Sequence, residues 1–428
     1  TGRLIEARTE QGVRRAIATR DQLARQYHKF TMPQMVIEDG PCFATRGLML
    51  DVSRDRVPTM RQLFQTVDLM AALKFNHLQL YTEHTFAYAG HEEAWRGWSP
   101  LTPAEIRELD VYCAVRGIEL AANQNCFGHL SNWLNLPRYA HLAETLGEWV
   151  FENAHEQFHP SGPFSLCPVD PDAAQFVDEL LGQLLPCFSS PLVNIGCDET
   201  FDVGFGRSGA AVRERGRAAV YFEFVGKICE SARRLGKRPM FWADIALSHP
   251  DSVAMIPEDM VCLAWDYEPT ARFAEWCSVL RGAGREVWVC PGTSSWRSIT
   301  GRTRERRGNL QAAAREGSAG GATGFLVTDW GDSGHHQQWP VSLAGIAEAA
   351  EAAWCGPDAA YDPRAASVHV FQDQSLATGP WLDELGDLDE PLRRIGGRVG
   401  DGEAPTALRN STVLFNDLFT PIGPGGDE

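Results

Sequence analysis

Two adjacent carboxylates close an apolar stretch near the middle of the chain. The stretch runs from Leu192 to Cys197, and Asp198 and Glu199 follow it directly. An apolar run rich in branched residues is typical of a buried parallel strand. Two acids at the end of such a strand are suited to general acid–base chemistry, including hydrolysis of a glycosidic bond. An Asp-Glu pair is also common in the first turn of a helix, where its role is structural. The residues around the pair must therefore distinguish a catalytic role from a structural one.

The chain around this pair alternates short apolar segments with helix-like segments. The eight predicted strands are 47–52, 75–81, 118–122, 192–197, 238–242, 260–265, 286–290 and 324–329, and predicted helices include 59–73, 103–116, 173–185, 218–235 and 342–354. Eight strand–helix units in succession predict an α/β fold, a closed (β/α)8 TIM barrel. An open doubly wound sheet is the alternative, but no Gly-x-Gly-x-x-Gly or P-loop follows an early strand.

Polar and indole side chains follow nearly every predicted strand. In chain order the candidates are Arg46 just before the first strand, Asp51 and Arg54 after it, Glu83, His84, Asn125, His129, the Asp198–Glu199 pair, Trp242, Trp265, Trp296, Asp329, Trp330 and Asp332. Carboxylates and arginines bind sugar hydroxyls through charge-assisted hydrogen bonds, and indole faces cover the apolar C–H patches of a sugar ring. Each residue alone could belong to an ordinary core or ion pair. Their concurrence at one end of a barrel predicts a carbohydrate site.

The composition of the chain argues against some classes of binding partner. The formal net charge of −17 argues against nucleic acid and anionic membranes, which both require basic patches. No apolar stretch approaches the ~20 residues of a membrane span. The chain has 11 cysteines, several of them inside predicted strands, and no C-x-x-C motif. Buried free thiols suit a reducing compartment, so we expect a cytoplasmic location.

The predicted barrel, residues 45–356, is flanked by two shorter regions. Residues 1–44 are interpreted as the remnant of a small α/β domain or a packing arm, with a helix over 12–27 and a strand-like piece over 35–37. Residues 357–428 are expected to form a helical extension, with helices over 364–371, 382–398 and 405–419. The long stretch 123–171 between the third strand and the next helix is expected to form a wall or lid of the site.

Metal and Schiff-base chemistry are the competing readings of the strand ends. The histidines His84, His129, His335 and His336 could in principle bind a divalent ion, but no H-x-H follows the first strand. No lysine lies at a strand end. We therefore expect no metal and no other cofactor.

Three stretches resemble the family 20 glycoside hydrolases, the β-N-acetylhexosaminidases and their relatives. They are Arg46–Arg54, Phe127–His129, and Asn194–Glu199, which is similar to the family's Gly-Gly-Asp-Glu signature. Residues 236–242 are similar to the segment that supplies one tryptophan wall of the family's acetamido pocket. The resemblance implies that Arg46 holds sugar hydroxyls. It also implies that residues 1–41 are the end of the small domain that precedes the family's barrel.

The chain departs from the family pattern at several positions. Cys197 replaces the second glycine of the signature, and Tyr81–Phe86 replaces an acidic segment that contains tryptophan. Thr293–Trp296 stands where a tyrosine is expected, and Asp329–Asp332 where the family has Trp-x-Glu. Several of these positions read the outer hydroxyls of the sugar in the family. The resemblance therefore implies the type of reaction more securely than it implies the identity of the sugar.

The activity implied by the resemblance is that of a retaining exo-β-N-acetylhexosaminidase acting on a carbohydrate substrate. Glu199 would be the acid/base and Asp198 would orient the acetamido group, in a substrate-assisted mechanism. Trp242, Trp265 and Trp296 would enclose the N-acetyl methyl group. Three alternatives remain open: an enzyme restricted to N-acetylgalactosamine, a sugar-binding barrel without catalysis, and a metal-dependent barrel hydrolase.

Overall fold

Eight parallel strands close into a barrel, which confirms the predicted fold class. The computed structural model describes residues 4–27, 31–147, 149, 151–152, 157–158, 162–395 and 410–419. The barrel strands are β1 (Thr45–Asp51), β2 (His77–Thr82), β3 (Glu119–Gln124), β6 (Leu192–Asn194), β7 (Arg238–Trp242), β8 (Val261–Trp265), β9 (Glu286–Cys290) and β10 (Gly324–Asp329), and β4 (Phe151–Glu152) and β5 (Gln157–Phe158) form a separate antiparallel pair. Consecutive barrel strands are neighbours, and β10 closes the ring against β1.

Helices surround the barrel and connect its strands. They are α1 (Glu10–Gln26), α2 (Met60–Ala72), α3 (Glu92–Trp95), α4 (Pro103–Val115), α5 (Ser131–Leu134), α6 (Pro171–Leu184), α7 (Gly209–Arg215), α8 (Arg217–Arg234), α9 (Asp244–Ser248), α10 (Phe273–Gly282), α11 (Thr303–Ala319), α12 (Trp339–Cys355), α13 (Pro363–His369), α14 (Thr378–Gly386), α15 (Glu390–Ile395) and α16 (Val413–Phe419). A capping box formed by Thr102 and Glu105 begins α4. No described helix has the length and apolar character needed to cross a membrane.

Two layers of apolar side chains form the core. The inner layer lies within the barrel and includes Met49, Tyr81, Met240, Trp242, Leu263, Trp288 and Leu326. Alternate residues of the same strands, such as Leu48 and Leu50, face the helices and belong to the outer layer. The filled interior leaves the carboxyl ends of the strands as the place where a ligand can bind.

The fourth barrel strand, β6, is shorter than its apolar pattern predicts. It ends at Asn194, although the apolar residues continue to Cys197. Gly196 and Cys197 have positive φ angles of 70° and 71°, which no strand can accommodate. The backbone therefore turns before it reaches the two acids.

The flanking regions differ in part from the prediction. Residues 35–37 join no strand of the described sheets, because the closed barrel offers no free edge for them. Helix α1 packs beside α2 and α13, with the Gln22 amide donating to the carbonyl of Ala72. The helix expected over 382–398 is divided between α14 and α15, and the predicted helix over 405–419 is seen as α16. Residues 396–409 and 420–428 lie outside the described part.

Candidate active site

The turn after β6 carries the two candidate catalytic acids in an unusual backbone conformation. Gly196, Cys197 and Glu199 all have left-handed φ angles, 70°, 71° and 49°. A Cβ at Gly196 would lie 2.5 Å from the Asn125 side chain, so only glycine fits there. The hydroxyl of Tyr221 donates to the carbonyl of Cys197 at 2.8 Å. Each non-glycine residue in this region costs about 1–2 kcal/mol, so the surrounding contacts must hold the turn.

Asp198 is a buried carboxylate with two polar partners. The Asn125 amide donates to its Oδ1 at 2.9 Å, and His129 Nε2 lies 3.2 Å from its Oδ2. Burial alone would raise the pKa of Asp198, but the charge of His129 and the hydrogen-bond donors around the carboxylate, Asn125 among them, together outweigh burial and lower the pKa. Asp198 is thus held as an anion at the floor of the site.

Glu199 lies beside Asp198 in a more open position. Its side chain is 27% exposed, compared with 8% for Asp198. Its Oε2 is 3.4 Å from His129 Nε2. Its backbone N–H donates to Oδ2 of Asp244 at 3.0 Å. Two adjacent acids therefore have different environments, which is the condition for giving them different chemical roles.

His129 links the acids to an arginine. Burial would lower the pKa of His129, but Asp198 and Glu199 raise it well above its ordinary value. His129 Nε2 lies within ion-pair distance of both acids, but neither contact has the geometry of a hydrogen bond. On the other side of the ring, Nδ1 lies 3.3 Å from Arg54 Nη2. His129 also has a left-handed φ of 55°, and Gly128 before it allows a close approach to the carbonyl of Asp198.

The arginine of the site is Arg54, and this corrects the expectation for Arg46. Arg54 lines the pocket, whereas Arg46 lies near the amino end of β1. The Arg46 guanidinium donates to the carbonyls of Lys74, Phe43 and Ala44 and faces the ring of Trp354. The physical reason is strand length, since β1 separates the two ends of the barrel by ~16 Å between Arg46 and Asp51.

Arg54 is surrounded by acids and aromatic rings. Its guanidinium nitrogens lie 2.9 Å from Asp51, 3.3 Å from Glu83 and 3.4 Å from Asp332. The guanidinium carbon is 5.1 Å from the ring centre of Tyr81 and 5.2 Å from that of Trp330. These contacts fix a planar donor group at the wall of the pocket.

Aromatic side chains form the rest of the pocket wall. Together with Arg54, His129, Asp198, Glu199 and Asp332, the pocket is lined by Trp242, Trp265, Tyr267 and Trp330. The buried indole nitrogens of Trp242 and Trp265 have no hydrogen-bond partner among the described residues. Trp296 was expected in this wall but does not line the pocket. Trp296 is fully buried and packs edge-on against Tyr267, with ring centres 4.8 Å apart, so that Tyr267 and not Trp296 lines the pocket.

The remaining predicted site residues form a second layer around the pocket. Glu83 accepts a hydrogen bond from the Tyr81 hydroxyl at 2.8 Å, and burial raises its pKa although Arg54 opposes this. Asn125 supports Asp198.

Two further predicted site residues, His84 and Asp329, also lie outside the pocket lining. His84 packs edge-on against Trp98, and burial lowers its pKa to about 4. Asp329 accepts hydrogen bonds at 2.7 Å from the hydroxyls of both Thr293 and Ser295. Each side chain is thus committed to neighbouring protein groups.

Tyr267 and Asp244 also follow predicted strands, but neither was assigned a role in the site from the sequence. Tyr267 follows Trp265 at the end of β8, and its hydroxyl accepts a hydrogen bond from Trp330 Nε1 at 2.6 Å. Asp244 follows Trp242 at the end of β7. Both lie two residues beyond a candidate tryptophan, so their spacing was a usable signal. Among the described residues, no three side chains of His, Cys, Asp or Glu are grouped so as to hold a metal ion.

Comparisons with known proteins identify relatives of the chain. A sequence model described as glycosyl hydrolase family 20, catalytic domain, matches residues 43–293. A beta-hexosaminidase of Akkermansia muciniphila is 28% identical over 260 residues, which are 54% of this chain and 50% of that protein. A beta-hexosaminidase of Vibrio furnissii is 27% identical over 305 residues, 62% of this chain and 47% of that protein. The chain spans about half the length of these curated relatives.

Solved structures share the fold. The GH20 beta-N-acetylhexosaminidase from Streptomyces coelicolor A3(2) superposes with a TM-score of 0.61 at 20% sequence identity. The superposition covers 88% of this chain and 78% of that one. At this identity the likeness establishes the barrel architecture.

Proposed function

Because the chain belongs to glycosyl hydrolase family 20, we propose that it is a retaining exo-β-N-acetylhexosaminidase. The substrate is a glycan or glycoconjugate that ends in a β-linked N-acetylhexosamine. The observation that carries the proposal is the unequal pair formed by Asp198 and Glu199. One acid is buried and held as an anion by Asn125 and His129, while its neighbour is accessible from the pocket.

The proposed reaction uses the substrate's own acetamido group as the nucleophile. The acetamido oxygen forms a bond to the anomeric carbon while the bond to the leaving oxygen breaks, and Glu199 transfers its proton to that oxygen. Asp198 accepts a hydrogen bond from the acetamido N–H and balances the positive charge that develops on the oxazolinium ring. Water then attacks the anomeric carbon from the face of the departed group and gives its proton to Glu199, while the bond between that carbon and the acetamido oxygen breaks and restores the acetamido group. The sugar leaves with its original β-configuration.

The pocket wall supports recognition of a single sugar ring. Trp242, Trp265 and Trp330 offer apolar surface for the C–H groups and the acetamido methyl. The unpartnered indole N–H groups of Trp242 and Trp265 can donate to substrate oxygens. Arg54 and Asp332 provide a donor and an acceptor for ring hydroxyls. These features favour release of one terminal residue at a time.

A paired assay tests the proposal. Release of an aryl group is measured from aryl β-N-acetylglucosaminide, aryl β-N-acetylgalactosaminide and aryl β-glucoside, with and without chelator. We expect turnover of at least one N-acetyl sugar, little of the glucoside, and no effect of chelator. A thiazoline mimic of the oxazolinium should inhibit competitively. Binding without release would favour a sugar-binding barrel, and equal cleavage of the glucoside would refute substrate assistance.

We also propose a reducing compartment, such as the cytoplasm, for this chain. All eleven cysteines are free thiols, and nine of them are buried. Burial raises the pKa of Cys126 and Cys197, which makes their thiols poor nucleophiles for disulfide exchange. Titration of thiols in protein purified without reductant tests this proposal, with eleven free thiols as the expected result.

A further inference from the structure

The Asp244 side chain contacts the turn that carries Asp198 and Glu199. The residue follows β7 by two residues and begins the short helix α9. Its Oδ2 accepts the backbone N–H of Glu199 at 3.0 Å. Glu199 carries the proposed acid/base side chain, and its backbone has a left-handed φ of 49°. A side chain fixed to the end of a barrel strand is thus bonded directly to the strained backbone of Glu199.

The other oxygen of Asp244 is in a setting that disfavours a charge. Its Oδ1 is buried and has no hydrogen-bond partner among the described residues. A buried carboxylate oxygen without a donor loses the solvation that stabilises its charge. A protonated carboxyl group needs no donor at the oxygen that carries the hydrogen.

The titratable groups that influence Asp244 most strongly are acids, and His129 lies on the pocket side of those acids. Asp198 and Glu199 face it from the turn after β6 and add negative charge. The Cys197 thiol and the Tyr221 hydroxyl face it from the same turn and from α8. Burial, and next the charge of Asp198, raise the pKa of Asp244 well above its ordinary value.

We propose that Asp244 is a positioning residue that holds Glu199 in its left-handed conformation, and that it does so as a neutral carboxylic acid. The inference rests on the proposed function, because it assigns Glu199 the role of acid/base. A neutral Asp244 leaves Asp198 as the anion of the turn, which is the charge that the oxazolinium requires. An ionised Asp244 would place a third negative charge against Asp198 and Glu199 and favour protonation of both.

Two substitutions separate the hydrogen bond from the charge. Asp244→Asn keeps an oxygen acceptor for the Glu199 N–H and is always neutral, whereas Asp244→Ala removes the acceptor. Asp251 is an exposed acid in the 3-10 helix Pro250–Met255 just after α9, and Asp251→Ala is the matched control. We expect Asp244→Ala to lower kcat about tenfold, because Glu199 loses the hydrogen bond that positions it, with little change in KM. We expect Asp244→Asn to restore kcat to within about threefold, and the control to behave as wild type.

The dependence of kcat on pH distinguishes a neutral acid from a charged one. With Asp244 neutral, Asp244→Asn should leave both limbs of the profile in place. With Asp244 ionised, the same substitution would remove a negative charge and move both limbs toward acid. Such a shift would overturn the inference, as would an Asp244→Asn variant as slow as Asp244→Ala, or an Asp244→Ala variant with unchanged kcat.

Two further measurements do not depend on turnover. The ¹³C resonance of the Asp244 carboxyl, identified by its absence in Asp244→Asn, should be that of a protonated acid at pH 7. Crystal structures should show Glu199 left-handed in Asp244→Asn and displaced in Asp244→Ala. If wild-type protein releases no N-acetyl sugar, the proposed function fails. The resonance and the structures still decide whether Asp244 is neutral and positions Glu199.

Discussion

Replacement of Arg54 by methionine should destabilise the protein in a manner that depends on pH. Arg54 is the cation that contacts Asp51, Glu83 and Asp332, and the side chains of Asp51 and Glu83 are 0% and 9% exposed. Methionine keeps much of the apolar volume between Tyr81 and Trp330 but removes the charge. Breaking a buried ion pair in this way costs about 3–5 kcal/mol in the free energy of unfolding. Asp332 is 40% exposed, so solvent screens its share.

The sign of the pH effect follows from Glu83. Burial raises the pKa of Glu83 in the folded protein and Arg54 opposes this rise, so its pKa rises further in the variant. An acid with a raised pKa in the folded state takes up its proton there first, and stability is lost as the pH rises above the ordinary glutamate range. The deficit of the variant should therefore be largest near pH 8. Near pH 5 it should be smaller by about 1.4 kcal/mol for each unit of further rise in the pKa.

Urea unfolding followed by tryptophan fluorescence at pH 5 and pH 8 measures both the loss of stability and its dependence on pH. Arg20→Met is the control, since Arg20 forms an exposed pair with Asp21 and its loss should cost less than about 1 kcal/mol at either pH. A deficit of Arg54→Met no larger than that of the control would refute the charge cluster. An equal deficit at both pH values would refute the assignment of the pH term to Glu83.

Three other substitutions test the site directly. Glu199→Gln should lower kcat by at least ~100-fold with an unchanged unfolding curve, and near-wild-type turnover would remove Glu199 from the acid/base role. Arg46→Met should leave KM for the aryl N-acetyl sugar unchanged in folded protein, because Arg46 is remote from the pocket; a large rise in KM would contradict its placement. Cys197→Gly should change the free energy of unfolding by less than ~2 kcal/mol, since relief at a φ of 71° offsets the lost burial of the thiol. A larger loss, measured by urea unfolding, would mean that thiol packing dominates at this position.

Local patterns were sufficient to predict the barrel. The strands Arg238–Trp242, Glu286–Cys290 and Gly324–Asp329 begin and end at the predicted residues, because each is a short apolar run bounded by glycine, proline or charged residues. The pattern was insufficient at β6, where an apolar run continued past the end of the strand. Apolar character reports burial, and the buried residues Ile195 and Cys197 lie in a turn.

The sequence alone determined the order of strands and helices and the place of Asp198 and Glu199 after the fourth barrel strand. It did so because periodicity and strand ends are local properties of the chain. Only the tertiary structure decided that Arg54 rather than Arg46 reaches the pocket, since residues near opposite ends of one strand are far apart in space. It also decided that Tyr267 rather than Trp296 lines the pocket, and that Asp244 accepts a hydrogen bond from the backbone N–H of Glu199. Those contacts join loops from different strands, and their geometry depends on how the whole barrel closes.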